Sequence, residues 1–263
     1  KYFVLGALSS GILLYGISFV YGFSGTTNLA QIARHAATVS GWDPFLSLAM
    51  ALIAIGFCFK IAAFPFHMCA PDAYEGAPTP VTAFLSVGSK AAAFAVFLRV
   101  FITAFSGVRP QWTGLLWTLS AATMIFGSVV AISQKNIVRM LAYSSIAHAG
   151  VIMIGLLTYN AIGASGVLYY LLVYAFMNMG AFTVVALFIR DGGAGGAISD
   201  YKGLAASRPG VAFLMSLFLF SLAGIPPTGG FTAKFFILAS AIGAHYYWLA
   251  AIGVLATAIS LFF

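Results

Sequence analysis

Three lysines stand where lysines are costly. Lys60 lies in Gly56-Phe57-Cys58-Phe59-Lys60-Ile61-Ala62-Ala63-Phe64-Pro65-Phe66-His67, Lys90 in Ser86-Val87-Gly88-Ser89-Lys90-Ala91-Ala92-Ala93, and Lys234 in Phe231-Thr232-Ala233-Lys234-Phe235-Phe236. Each interrupts an apolar run long enough to sit in a bilayer, where an ammonium group costs at least roughly 2.5–3.5 kcal/mol. Desolvation favours the neutral form of an amine, so a lysine in such a place can exchange its proton near neutral pH. A carboxylate moved closer or further away would load or unload it. The chemistry these residues suggest is therefore a proton relay. The alternative is snorkelling, in which a lysine near a helix end reaches the membrane surface.

A histidine fits the same relay. His148, in Tyr143-Ser144-Ser145-Ile146-Ala147-His148, is the histidine deepest in a span, and its ordinary pKa of about 6.5 suits a proton shuttle. A histidine satisfied by a neighbouring hydroxyl or carbonyl is the plainer alternative. His67 stands beside a proline and could connect water to Lys60. Tyr143, Ser144, Ser145 and Asn178 either line a hydrated path or bond between helices, as small polar residues in membranes do. Asp72 and Glu75 either collect protons at the surface or cap the helix that follows.

The elements that must hold these residues are membrane helices. Of 263 residues, 62% are hydrophobic and 6% charged, against about 25% charged in soluble domains. That charge is too sparse to cover a soluble surface, and strand-like alternation is missing, so a β-barrel is not expected. The expectation is an all-α polytopic membrane helix bundle, one transmembrane domain over residues 1–263, with eight spans. They run Tyr2–Phe23, Pro44–Phe66, Pro80–Phe105, Trp112–Ile132, Ile137–Thr158, Ile162–Ile189, Val211–Ile242 and Tyr246–Phe263. Between them, Ala30-Gln31-Ile32-Ala33-Arg34-His35 suggests a short surface helix and Gly192-Gly193-Ala194-Gly195-Gly196 a flexible linker.

Two spans should be broken. Pro65 removes a donor and clashes with the preceding turn, and Ala223-Gly224-Ile225-Pro226-Pro227-Thr228-Gly229-Gly230 leaves no continuous helix across Pro226 and Pro227. Irregular backbone at membrane depth needs protein or a watery cavity around it, and a pair of broken helices is the sequence pointer to an ion site. Lys1, Lys135, Arg139, Arg190, Lys202 and Arg208 fall on the side where the first span begins, and Arg34, Arg99 and Arg109 at or near the other. This bias places the first side in the cytoplasm.

Several functions are not expected. The net charge of +7 is scattered between spans, with no basic face for nucleic acid. Cys58 and Cys69 do not have a metal or redox spacing and read as small apolar fillers. No haem, iron–sulfur, dinucleotide or metal-ligand pattern occurs. No acidic residue lies inside a span, so the counter-charge for the lysines must come from another helix or chain. The chain starts without methionine and ends in an apolar run at Leu261-Phe262-Phe263, which suggests a fragment.

The stretch Phe59-Lys60-Ile61-Ala62-Ala63-Phe64-Pro65-Phe66-His67-Met68-Cys69-Ala70-Pro71-Asp72-Ala73-Tyr74-Glu75-Gly76-Ala77-Pro78-Thr79-Pro80-Val81 resembles the antiporter-like subunits of respiratory complex I, and among them the N-type branch. Ser133-Gln134-Lys135-Asn136-Ile137-Val138-Arg139-Met140-Leu141-Ala142-Tyr143-Ser144-Ser145-Ile146, Ser221 to Lys234, and the opening Lys1 to Ala7 match too, so the likeness covers nearly the whole chain. The resemblance implies an antiporter-like inverted-repeat fold of fourteen helices, of which this chain would carry the sixth into the thirteenth. It maps the family's seventh-, eighth- and twelfth-helix lysines onto Lys60, Lys90 and Lys234, with breaks at Pro65 and at Pro226-Pro227. Lys1 matches a sixth-helix lysine, and Cys69 replaces a usual tryptophan. The fifth-helix glutamate that pairs with the seventh-helix lysine would lie outside the chain. The implied activity is proton translocation coupled to quinone reduction. NADH, FMN, iron–sulfur clusters and quinone would sit in other subunits, with no cofactor in this chain. Its partners would be other membrane-arm subunits, including neighbouring antiporter-like ones, together with lipid and protons. The implied location is a bacterial inner membrane, or a thylakoid or mitochondrial inner membrane. Ferredoxin-driven photosynthetic complexes and Mrp-type antiporters are the rivals within the family. A passive scaffold, with lysines that only hold ion pairs, is the rival outside it.

Overall fold

The computed structural model describes residues 2–39, 41–190 and 196–263. Lys1 and most of the glycine-rich linker lie outside these residues. Among the described residues the named secondary-structure elements are all helical. In order come α1 (Tyr2–Ser24), α2 (Leu29–Ala37), α3 (Pro44–Ile61), α4 (Cys69–Gly76), α5 (Thr79–Phe84), a π-helical turn (Leu85–Ser89) and α6 (Lys90–Thr103). There follow α7 (Arg109–Ile132), α8 (Ile137–Thr158), α9 (Ala161–Arg190), α10 (Leu204–Ser207), α11 (Pro209–Ala223), α12 (Gly229–Gly243) and α13 (Tyr247–Ile259). Among the described residues, 6 helical stretches are long and apolar enough to cross a membrane, and α11, α12 and α13 are shorter apolar helices. With α11 and α12 taken as one broken span, these match the expected eight passes, and the expected surface helix is α2.

Local chemistry sets the starts. The side chains of Asn28, Asp43 and Asn136 each accept hydrogen bonds from the first backbone N–H groups of α2, α3 and α8, satisfying donors that no helical carbonyl can reach. Pro44, Pro110 and Pro209 occupy first-turn positions, where a missing N–H costs nothing.

The two breaks share one closing motif. At the end of α3, Ala63 N–H bonds the Cys58 carbonyl at 2.8 Å and Ala62 N–H the Phe59 carbonyl at 3.1 Å, while Ala62 is left-handed at φ 59°. At the end of α11, Ile225 N–H bonds the Phe220 carbonyl at 3.1 Å and Gly224 N–H the Ser221 carbonyl at 3.1 Å, with Gly224 at φ 86°. Both are Schellman closures. The first break therefore begins at Ala62, three residues before Pro65 where the sequence placed it. The reason is that a residue preceding proline is steered out of the α region, so the chain must leave the helix earlier. The freed Phe64 N–H is taken by the Thr123 hydroxyl of α7 at 3.0 Å.

α8 is the axis of the bundle, buried over nearly its whole length. It lies backbone to backbone against α7, because Gly127 and Gly150 carry no Cβ. A Cβ on Gly127 would come 2.5 Å from Ala147 N, and one on Gly150 2.7 Å from Met124 Cγ. Ser120 adds a hydroxyl bond of 2.7 Å to the Gly150 carbonyl. α9 and α12 pack on other faces of α8. α1, in contrast, leaves most of its apolar surface exposed, burying Ser9, Gly16, Val20 and Ser24.

Candidate functional site: a line of polar side chains along α8

Lys90 is 2% exposed and Lys234 5% exposed, and neither makes an ion pair among the described residues. Their charges are met by neutral oxygens. Lys90 follows directly on the π-helical turn, a feature often found at functional sites. Its Nζ donates to the Ser145 carbonyl at 2.7 Å and to the Ser145 hydroxyl. It also stands 5.7 Å from the centre of the Tyr174 ring, within cation–π range. Tyr174 in turn donates its hydroxyl to Ser145 Oγ at 2.8 Å.

Lys234 uses the second break. Its Nζ donates to the carbonyls of Leu222 and Ala223, each at 2.9 Å. These belong to the last turn of α11, which has no helical partner for its carbonyls and carries the negative end of the helix dipole. Gly224 must be glycine twice over. It is left-handed, and a Cβ there would press on Lys234 Cδ at 3.0 Å.

His148 shares a cavity with Lys234 and packs against Tyr174, with ring centroids 5.5 Å apart, the ring that Lys90 approaches. It is 4% exposed, and its Nδ1 is hydrogen-bonded to the Tyr170 hydroxyl at 2.7 Å. A cavity of about 10 Å³, room for one water molecule, is lined by His148 and Lys234 together with Ser144, Ser128, Thr257 and Ser260. From Lys90 to Lys234 the polar groups thus follow α8 from Ser145 to His148, one helical turn apart, and then cross this cavity.

Lys60, at the end of α3, is exposed in this chain taken by itself. It borders a cavity of about 40 Å³ together with Tyr2, Phe66, Tyr74 and Ser89. His67 does not share that cavity. Its ring is buried among Phe64, Phe126 and Tyr143, and among the described residues no hydrogen bond of good geometry reaches its Nδ1. Tyr143 stays with that aromatic group, whereas Ser144 faces the Lys234 cavity. Asn178 bonds Ser86 of the π-helical turn at 2.8 Å. Asp72 and Glu75 do not cap the following helix. They sit within α4 and pair with Arg139 at 3.1 and 2.7 Å, while Asn136 bonds Glu75 at 3.1 Å. Together these contacts fasten the half-helix beyond the first break to the first turn of α8.

Tyr170 and Tyr174 were not singled out from the sequence, because aromatic residues in an apolar span read as packing. The signal available was spacing. Tyr170, Tyr174 and Asn178 recur every fourth residue and so place three polar heads on one face of α9.

A helical membrane bundle with two Schellman-closed breaks and buried lysines held by neutral oxygens has the discontinuous helices around which membrane transporters build their ion sites. Comparison with known proteins makes this particular. The family described as NADH:quinone oxidoreductase/Mrp antiporter, TM matches residues 1–260, and the chain belongs to it. The NADH-quinone oxidoreductase subunit N of Trichlorobacter lovleyi is 51% identical over all of this chain and 54% of its own length. A chain of respiratory complex I from Thermus thermophilus superposes with a TM-score of 0.83 at 34% identity, over 100% of this chain and 56% of that one. A chain of the Mrp complex from a Dietzia species superposes with a TM-score of 0.89 at 28% identity, over 99% and 48%. The chain spans about half the length of the curated relatives it matches.

Proposed function

We propose that this chain is the core of a proton-translocating membrane subunit of an NADH:quinone oxidoreductase, embedded in a bacterial inner membrane beside other antiporter-like subunits. The observation that carries the reading is two buried lysines beside α8 that have no carboxylate partner among the described residues, with His148 and a small polar cavity next to Lys234. Ionisable residues inside a membrane are rare and mark ion and proton pathways. Lys90 and Lys234 are held by a hydroxyl, a ring face and backbone carbonyls, which stabilise the ammonium without neutralising it and leave it able to lose its proton. In this reading protons reach Lys90 from the side of Lys60, pass Ser145 and His148, cross the small cavity to Lys234 and leave towards the opposite surface. The chain itself performs no redox step. NADH, FMN, iron–sulfur clusters and quinone belong to other subunits, and redox work arrives as a displacement or a charge change at Lys60. The identity with subunit N relatives favours this over an Mrp-type antiporter or a ferredoxin-driven complex, and co-purifying chains would separate the three.

The test is Lys90→Met in the whole complex reconstituted in proteoliposomes. Methionine keeps the volume and removes the titrating group. Proton uptake driven by NADH oxidation should be lost. Wild-type uptake would leave Lys90 a structural residue and favour the passive scaffold.

A further inference from the structure

Three segments of the chain meet at Asn136. Its side chain begins α8, with Oδ1 accepting from Val138 N–H at 2.8 Å and from Arg139 N–H at 3.2 Å. Its Nδ2 donates to Glu75 Oε1 of α4 at 3.1 Å. A backbone N–H only donates and an ionised carboxylate only accepts, so both ends of the amide are fixed. The main chain beside it holds the third segment. Ile137 N–H donates to the Gly196 carbonyl at 3.0 Å and Ile198 N–H to the Lys135 carbonyl at 2.9 Å, an antiparallel bridge that pairs Asn136 with Ala197.

Two of these segments lead to the breaks. α4 is the half-helix that follows the first break. The segment that starts at Gly196 runs through α10 into α11, the half-helix that ends at the second. Hydrogen-bonded turns fill the way. Lys202 N–H bonds the Ser199 carbonyl at 3.2 Å, Ala206 N–H the Gly203 carbonyl at 3.0 Å, Arg208 N–H the Leu204 carbonyl at 2.7 Å and Ala212 N–H the Arg208 carbonyl at 3.1 Å. The last carbonyls of α11 then hold Lys234. A cap alone would be served equally well by aspartate. What asparagine adds is the donor that reaches α4.

We propose that Asn136 is a positioning residue that ties the two broken helices together at the start of α8, so that a shift of α4 at the first break is passed to α11 and to the carbonyls that hold Lys234. The tie rests on the proton-translocating function proposed above. It carries movement from one break to the other, beside the line of polar groups within the bundle.

The experiment compares Asn136→Asp, Glu75→Gln and the two combined with the native complex in proteoliposomes. It reads proton uptake driven by NADH, with Tm in detergent alongside and co-purification of the partner subunits as the check on assembly. Asn136→Asp keeps the cap and turns the donor facing Glu75 into an acceptor. Adding Glu75→Gln puts the amide on the other side and restores a hydrogen bond between the same two positions, which makes the set a double-mutant cycle. Asn136→Asp should slow uptake roughly 10-fold, inside the 5- to 150-fold range of coupling between distant sites. The combined variant should recover to the rate of Glu75→Gln alone. Native uptake in an assembled Asn136→Asp complex overturns the tie even where Tm falls, because a brace for the fold alone moves Tm and not uptake. A combined variant as slow as Asn136→Asp overturns it too, because the loss then does not follow the hydrogen bond. If Asn136→Asp does not assemble, Glu75→Ala takes its place, removing the acceptor and leaving the cap, with Arg139→Ala as the control that leaves the Asn136–Glu75 bond. Uptake slowed no further in Glu75→Ala than in Arg139→Ala overturns the tie. Lys90→Met separates the tie from the function. Native uptake there overturns both, whereas uptake lost there and native in Asn136→Asp overturns the tie alone.

Discussion

Replacing Lys234 by arginine separates charge from proton exchange at the second break. Lysine and arginine have ordinary pKa values near 10.4 and 12.5–13.8, a difference of about 2–3.4 units, or about 3–5 kcal/mol at 1.36 kcal/mol per unit. Burial acts on both side chains in the same site, so most of this difference is retained. The neutral form should then become roughly 100- to 2,500-fold rarer. The guanidinium still has donors for the Leu222 and Ala223 carbonyls, which Lys234 reaches at 2.9 Å, so α11 remains capped and the bundle intact. Measured in proteoliposomes carrying the whole complex, the rate of NADH-driven proton uptake should fall at least about 100-fold in Lys234→Arg, in step with the lost neutral population. Uptake at the native rate would refute the requirement that Lys234 give up its proton. Lys234→Met is the informative companion. It leaves the Leu222 carbonyl without its donor, at about 1–3 kcal/mol, while the Ala223 carbonyl keeps the Ser260 hydroxyl at 3.3 Å, so it should lower the thermal stability of the complex as well as its pumping.

Two further outcomes follow from packing and from the surface cluster. Gly127→Ala puts a Cβ 2.5 Å from Ala147 N, which forces α7 and α8 apart and should destabilise the purified complex by about 1–3 kcal/mol, read as a lower Tm in detergent; an unchanged Tm would show that the two helices are not in backbone contact. Arg139→Ala removes ion pairs whose side chains are 30–42% exposed, so after allowance for solvent screening the loss should be about 1 kcal/mol or less. It should shrink further when the melt is repeated in about 1 M salt, and a loss that did not depend on salt would assign Arg139 a packing role instead.

The helices were legible because hydropathy and the caps agree. Asn28, Asp43 and Asn136 each precede an apolar run, and the structure starts a helix at each. Both breaks were legible from proline, although the first starts at Ala62 because the constraint on the residue before proline acts upstream. Burial of individual lysines was less legible. Lys60 and Lys90 look alike in sequence, each several residues inside an apolar run, yet Lys90 is buried against α8 and Lys60 is exposed in this chain taken by itself. Which side of a helix meets the bundle is decided by tertiary packing when nearly every side chain is apolar, and α3 shows too little amphipathic contrast to reveal it. The partners of the buried lysines were hidden for another reason. A backbone carbonyl has no sequence signature, and the tyrosines that complete the site lie in α9, separated in sequence from the lysines they serve.

The end of α11 has one more consequence. The pair of carbonyls that holds Lys234 behaves as a fixed negative pole, of the order of half an elementary charge for a helix terminus, and unlike a carboxylate it has no protonation equilibrium of its own. Chemistry cannot switch it off, but geometry can. A hydrogen bond weakens steeply once its angle falls toward about 120°, so a tilt of this half-helix about the hinge at Gly224 would alter the hold on Lys234 without a second titrating group. The broken helix would then act as a transducer, turning rotation of a backbone segment into electrostatic work.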